Sequence, residues 1–144
     1  MILVDANILL HAYNGGSPQH QAAKKWWEQQ LSGTQAVRLA WTTILAFLRI
    51  GTHFRVFSHP MAMKEAVSAV SSWLIRPMVD ILHPSTTHWT TLSQLLINSG
   101  IHANLTSDAH LAALAIEHGA ILVSSDLDFS RFKGLLWNNP LTNS

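Results

Sequence analysis

At 144 residues the chain fits one domain, residues 1–144, and is long enough to bury a true core without metals or disulfides. Hydrophobic residues make up 48% and charged residues 12%, which excludes a disordered chain, and a mean hydropathy of +0.17 is high for a soluble monomer, so apolar surface is expected against a partner. Nine Lys+Arg against eight Asp+Glu leave a formal charge of +1, so no bulk positive field announces a nucleic-acid binder, and the lack of cysteine excludes thiolate zinc sites and cysteine nucleophiles and fits a reducing compartment.

The chain opens on Met1-Ile2-Leu3-Val4-Asp5, with no basic segment and an acid where a signal peptide is apolar, so the protein is expected in the cytoplasm. Residues 2–4 read as a strand, Asp5-Ala6-Asn7 as a turn, and Ile8, Leu9 and Ala12 as the buried face of a helix. Ser17-Pro18 supplies an N-cap and first-turn proline for a helix to about Leu31. Val37 and Leu39 alternate in a second strand. Thr42 or Thr43 can cap a helix from Ile44 to near Gly51, apolar nearly all round and hence expected to be central.

Ser58 to Leu74 reads as a helix with Met63, Ala66, Val67, Val70, Trp73 and Leu74 in one buried stripe. Pro77 separates it from a strand around Met78 to Leu82, and Ser85-Thr86-Thr87 opens a helix carrying Trp89, Leu92, Leu95 and Leu96, with Gly100 as its stop. Thr106-Ser107-Asp108 starts the next helix, ending at Gly119, whose alanines allow close packing on a sheet. It contains the longest apolar run, Leu111 to Ile116, far short of the roughly 18 residues of a membrane span. Ala120 to Val123 is a fourth strand leading into Ser125-Asp126-Leu127-Asp128-Phe129, and Leu135-Leu136-Trp137 a fifth. Short strands alternating with helices give βαβ units: an α/β fold with a mainly parallel sheet.

Four of the five aspartates, Asp5, Asp108, Asp126 and Asp128, fall at strand ends or a helix start, while Asp80 lies inside a strand. Pockets in open α/β sheets form outside the carboxyl ends of the strands where strand order reverses, so these acids are candidates to share one crevice. Converging carboxylates repel one another unless a cation neutralises them, and all-oxygen ligation selects Mg²⁺ or Mn²⁺. Such a centre suits phosphodiester hydrolysis. Taken singly, Asp108 also reads as a first-turn acid favouring the helix dipole, and Asp126 and Asp128 as turn formers.

Val4-Asp5-Ala6-Asn7, Asp108-Ala109-His110-Leu111-Ala112-Ala113-Leu114-Ala115 and Ser125-Asp126-Leu127-Asp128-Phe129, in this order and spacing, resemble VapC-type toxins of the PIN-domain family. Trp41 to Thr52 and Trp137 to Leu141 resemble a subgroup of it. The resemblance implies an α/β/α sandwich with a five-stranded sheet, Mg²⁺-dependent endoribonuclease activity, homodimerisation, and inhibition by a cognate VapB-like antitoxin. It implies that Asp5, Asp108 and Asp126 bind the metal and that Asp128 is an accessory catalytic acid. One departure stands out, since the family's second acid, a glutamate, aligns with Phe47. That motivates an alternative, a catalytically inactive PIN-like binding module.

Arg131, beside the acidic turn, and Arg49 are candidates to guide RNA phosphates, with solvated helix ends as the alternative. Lys133 and Arg55 are weaker choices. Asn7 and Ser125 are placed either to orient Asp5 and Asp126 or simply to form turns. No ligand spacing among the nine histidines suggests zinc; His110 alone lies near the expected pocket. The six tryptophans read as core or interface anchors rather than base-stacking platforms.

Overall fold

A computed structural model describes residues 1–100 and 103–142, with the backbone alone of Asn104. Five strands, β1 (Ile2–Val4), β2 (Val37–Leu39), β3 (Val79–Ile81), β4 (Ile121–Val123) and β5 (Trp137–Asn138), form one sheet of order β3-β2-β1-β4-β5. Every neighbouring pair is parallel. Helices α1 (Ala6–Tyr13), α2 (His20–Ser32), α3 (Trp41–Gly51) and α4 (Met63–Leu74) link β1, β2 and β3, while α5 (His88–Asn98) and α6 (Thr106–His118) link β3 to β4.

The route from β1 through β2 to β3 runs outward in one direction, and right-handed crossovers place α1 to α4 on one face. From β3 the chain returns to the other side of β1, so α5 and α6 cover the opposite face. Strand alternation serves both: Ile2, Val4, Val37 and Leu39 pack into the α1–α4 core, and Leu3 and Leu122 pack against α6. Ala109, Ala112, Ala113 and Ala115 are buried there and bring α6 close to the sheet. Gly119 ends α6 at φ +66°, and Ala120 N–H donates to the Ala115 carbonyl at 2.8 Å, closing the last turn.

Several expectations are corrected. α1 begins at Ala6 with Asp5 as its N-cap, so the expected turn is the helix start. α3 begins at Trp41 with Ala40 as an N-cap that makes no side-chain bond, so Thr42 and Thr43 lie inside the first turn rather than capping it. Leu45 is 60% exposed, so α3 is not central all round. α4 starts at Met63, five residues later than Ser58: Pro60 lies in between, and Met61 N–H bonds the Gly51 carbonyl instead. Met63 and Val67 face solvent, and the buried seam is Ala66, Val70 and Trp73. Trp89 is also exposed.

Candidate metal centre

The strand order reverses between β1 and β4, so the loops leaving these strands part and leave a crevice. Asp5 follows β1 directly. Its Oδ1 accepts from Ala6 N–H at 2.7 Å and its Oδ2 from the Ser124 hydroxyl at 2.8 Å. Ser124, fully buried at the end of β4, also accepts from Asn7 Nδ2 and from Asp126 N–H, each at 3.0 Å. One hydroxyl donor and both acceptor positions are thus used, and the hub welds the ends of β1 and β4 together.

Asn7 therefore acts on Asp5 through Ser124, and its Oδ1 takes Ser125 N–H at 3.3 Å. Ser125, the expected orienter of Asp126, contributes its backbone; Ser124 was missed. Asp126 then caps a short 3-10 turn, Leu127–Arg131, its Oδ1 accepting from Asp128 N–H at 2.9 Å. This turn brings Asp126 and Asp128 beside Asp108, the third residue of α6, so that one carboxylate oxygen from each of the three lies within 4.8 Å of the others. Asp5 and Asp108 together line a cavity of about 120 Å³ with Ala6, Thr42, Thr43, Ala46, Ser107 and Leu111. Asp128, expected as an accessory, is thus part of the tightest trio, and Asp5 is tied by hydrogen bonds at its edge.

Burial, then the charges of Asp5, Asp126 and Asp128, push the Asp108 carboxyl up to about 6. Burial also raises Asp5, against the hydrogen bonds from Ser124 and Ala6, with Asp126 adding to the rise. The positive charge nearest these acids among the described residues is Arg131, whose Nε lies 3.8 Å from Asp128 Oδ1 on the half-exposed rim. Four oxygen-donor acids with so little compensation fit a hard divalent cation.

Arg49 is exposed on the last turn of α3, about one turn beyond Ala46, which lines the cavity with Asp5 and Asp108. His110 turns away from them. Its Nδ1 lies 2.9 Å from His88 Nε2, whose Nδ1 in turn lies 3.0 Å from Glu117 Oε2, forming a brace between α5 and α6. Phe47 is fully buried in the α1–α4 core, its ring 4.8 Å from that of Trp73 and 5.3 Å from that of Tyr13. An acid at position 47 would sit in that core; the α3 residues that line the cavity with the carboxylates are Thr42, Thr43 and Ala46.

A parallel α/β sheet with aspartates gathered at its switch point defines a class of acidic, metal-holding domain, and residues 2–135 match the PIN domain model. The chain belongs to the PIN-domain family. It is 42% identical over 140 residues to Ribonuclease VapC37 of Mycobacterium tuberculosis, covering 97% of each chain, and 40% identical over 141 residues to Ribonuclease VapC33 of the same organism, covering 98% of this chain and 99% of that one. Among solved structures the fold is similar to VapBC2 of Rickettsia felis bound to promoter DNA, at TM-score 0.68 and 22% identity over 96% of this chain and 98% of that one. It is also similar to M. tuberculosis VapC20, a sarcin-ricin loop cleaving toxin, at TM-score 0.68 and 19% identity, covering 94% and 99%.

Proposed function

We propose that this chain, acting as one domain over residues 1–144, is a Mg²⁺-dependent endoribonuclease and the toxin of a VapBC-type toxin–antitoxin pair. The observation that carries the reading is the convergence of Asp108, Asp126 and Asp128 within 4.8 Å beside Asp5. The relatives named ribonucleases, matched over nearly their whole length, support it. Asp5, Asp108 and Asp126 hold the cation, with Asp128 completing or bracing the set. Bound there, Mg²⁺ supplies a water of lowered pKa and neutralises charge on a scissile phosphate.

The chain's own contribution is placement. Ser124 fixes Asp5, the 3-10 turn presents Asp126 and Asp128 together, and the α6 N-terminus presents Asp108 in its favourable first turn. Arg131, on the rim, guides RNA toward the acids. Trp41 and Leu45 on α3 and Met63 and Val67 on α4 are exposed and supply apolar surface for a second copy and a VapB-like antitoxin in the cytoplasm. No helix among the described residues is long and apolar enough to cross a membrane.

The deciding experiment measures RNA cleavage with Mg²⁺, Mn²⁺ or excess EDTA for the wild type and for Asp5→Asn, Asp108→Asn and Asp126→Asn. Each substitution abolishes cleavage while leaving the fold intact. Activity undiminished by EDTA, or a folded and active Asp108→Asn protein, would sink the metal-nuclease reading.

A further inference from the structure

The crevice has two unlike walls. One is made of acceptors, Asp5 and Asp108. The other is the first turn of α3, and it is made of donors. Ala40, the N-cap, has only a methyl group to offer, and its carbonyl takes Thr43 N–H and Ile44 N–H, both at 3.1 Å. Among the described residues nothing accepts from Trp41 N–H or Thr42 N–H, the first two amides of the eleven-residue helix.

A second observation points to a ligand. Thr43 is a buried polar residue, only 3% exposed, that lines the cavity opposite the carboxylates, and no hydrogen bond ties its hydroxyl to any described residue. The buried side-chain donor left without a partner among the described residues is Trp27 Nε1, so the Thr43 hydroxyl keeps contact with the cavity that its residue lines. Its expected service as a helix cap is excluded, since it lies in the helix rather than before it. Ala46, one turn on, keeps the space in front of it open.

We propose that the first turn of α3 is the phosphate-holding wall of this site: Trp41 N–H, Thr42 N–H and the Thr43 hydroxyl receive a non-bridging oxygen of the RNA phosphodiester that the acids' cation approaches from the other side. This rests on the nuclease reading. Free amides and the dipole of a helix N-terminus attract phosphate, and a hydroxyl donor adds a charge-assisted bond. These donors face the acids from inside the crevice, whereas Arg131 pairs with Asp128 on the half-exposed rim. Without this wall the anionic substrate would meet acids and a single cation.

The test uses the full chain labelled with ¹⁵N and loaded with Mg²⁺, titrated with inorganic phosphate. The amide signals of Trp41 and Thr42 shift saturably. Thr43→Val, of equal shape but without the hydroxyl, weakens phosphate binding about tenfold, as loss of one hydrogen bond to a charged group does, and Thr43→Ser recovers it. Mn²⁺ affinity measured by calorimetry without phosphate is the same in all three proteins. In RNA cleavage Thr43→Val lowers kcat/KM about tenfold and Thr43→Ser recovers it. Absence of saturable shifts at Trp41 and Thr42 overturns the inference. So does a Thr43→Val protein that loses Mn²⁺ affinity, which makes the hydroxyl a metal ligand, or a Thr43→Ser protein as impaired as the valine variant, which makes the role packing. Phosphate binding at these amides in a protein that cleaves no RNA with any divalent ion would uphold the inference as an anion site and reject the nuclease reading.

Discussion

Ala46 and Phe47 are neighbours in the chain and belong to different regions of the molecule. Ala46 borders the acidic crevice; Phe47 is enclosed by Tyr13 and Trp73 in the core behind it. A helix turns about 100° per residue, so one step along α3 passes from a polar wall to an aromatic interior. The lesson concerns the glutamate that the family resemblance implies at position 47. Phe47 leaves no gap among the acids, because its side chain packs into the aromatic core and not the crevice. The centre closes on the α3 side with Ala46 and two threonines, and its acids come from β1, α6 and the turn after β4.

The largest effect should separate these two residues directly. Phe47→Glu places an unpaired carboxylate among apolar rings, which costs several kcal/mol out of the ~5–15 kcal/mol that holds a domain together, so the protein is expected to be unfolded or molten at room temperature. Ala46→Glu enters an open, polar crevice and keeps a cooperative melt. Circular dichroism melts of the two variants make the comparison; a cooperatively folded Phe47→Glu protein would break it. Phe47→Ala, which only leaves a cavity, should cost about 3–5 kcal/mol.

Next come the two hydrogen-bond hubs behind the regions. Ser124→Ala strands Asp5, Asn7 Nδ2 and the Asp126 amide at once, so a loss of roughly 1–3 kcal/mol should accompany a fall in RNA cleavage. Trp73→Phe removes the Nε1–H that donates to the Tyr13 hydroxyl at 3.0 Å and should cost about 1 kcal/mol with kcat/KM unchanged. Paired denaturant titrations and cleavage assays check both. Equal activity in the two variants would mean that Ser124 serves the core and not the site.

The same division explains what was legible in the sequence. The strands, α6 and the acids could be read because each rests on local signals: a short apolar run, a glycine needing φ +66°, an aspartate after a strand. Ser124 could not, since its role exists only once β1 and β4 pair in register, 119 residues apart in the bond to Asp5. Along α4 two apolar stripes overlap, one through Met63 and Val67 and one through Ala66, Val70 and Trp73; periodicity fits both, and only docking on α3 selects the second. The start of α4 is set by the turn around Pro60, which the apolar periodicity does not register, and Trp89 has a side chain that the final packing leaves outside.

The smallest effect is a pH dependence peculiar to the crevice. Asp108 titrates at about 6 in the folded chain, against 3.8 in the unfolded reference, first because it is buried and then because Asp5, Asp126 and Asp128 repel its charge. Between these values the native state binds more protons than the unfolded state, so stability falls as pH rises from about 4 to about 6 and stays lower above that. The direction is opposite to that of an ion-paired carboxylate. Because Asp108 is only partly buried, the effect in metal-free protein is a small decline in Tm across this window, to be measured in EDTA. Asp108→Asn should flatten the decline and melt slightly higher than wild type near neutral pH, whereas Phe47→Ala should keep the slope while lowering the whole curve. Saturating Mg²⁺ favours the ionised acids and should reverse the trend, giving a Tm that climbs with pH through the same range. A wild-type curve in EDTA that rises with pH, or an Asp108→Asn curve parallel to it, would show that repulsion among these carboxylates does not govern the crevice.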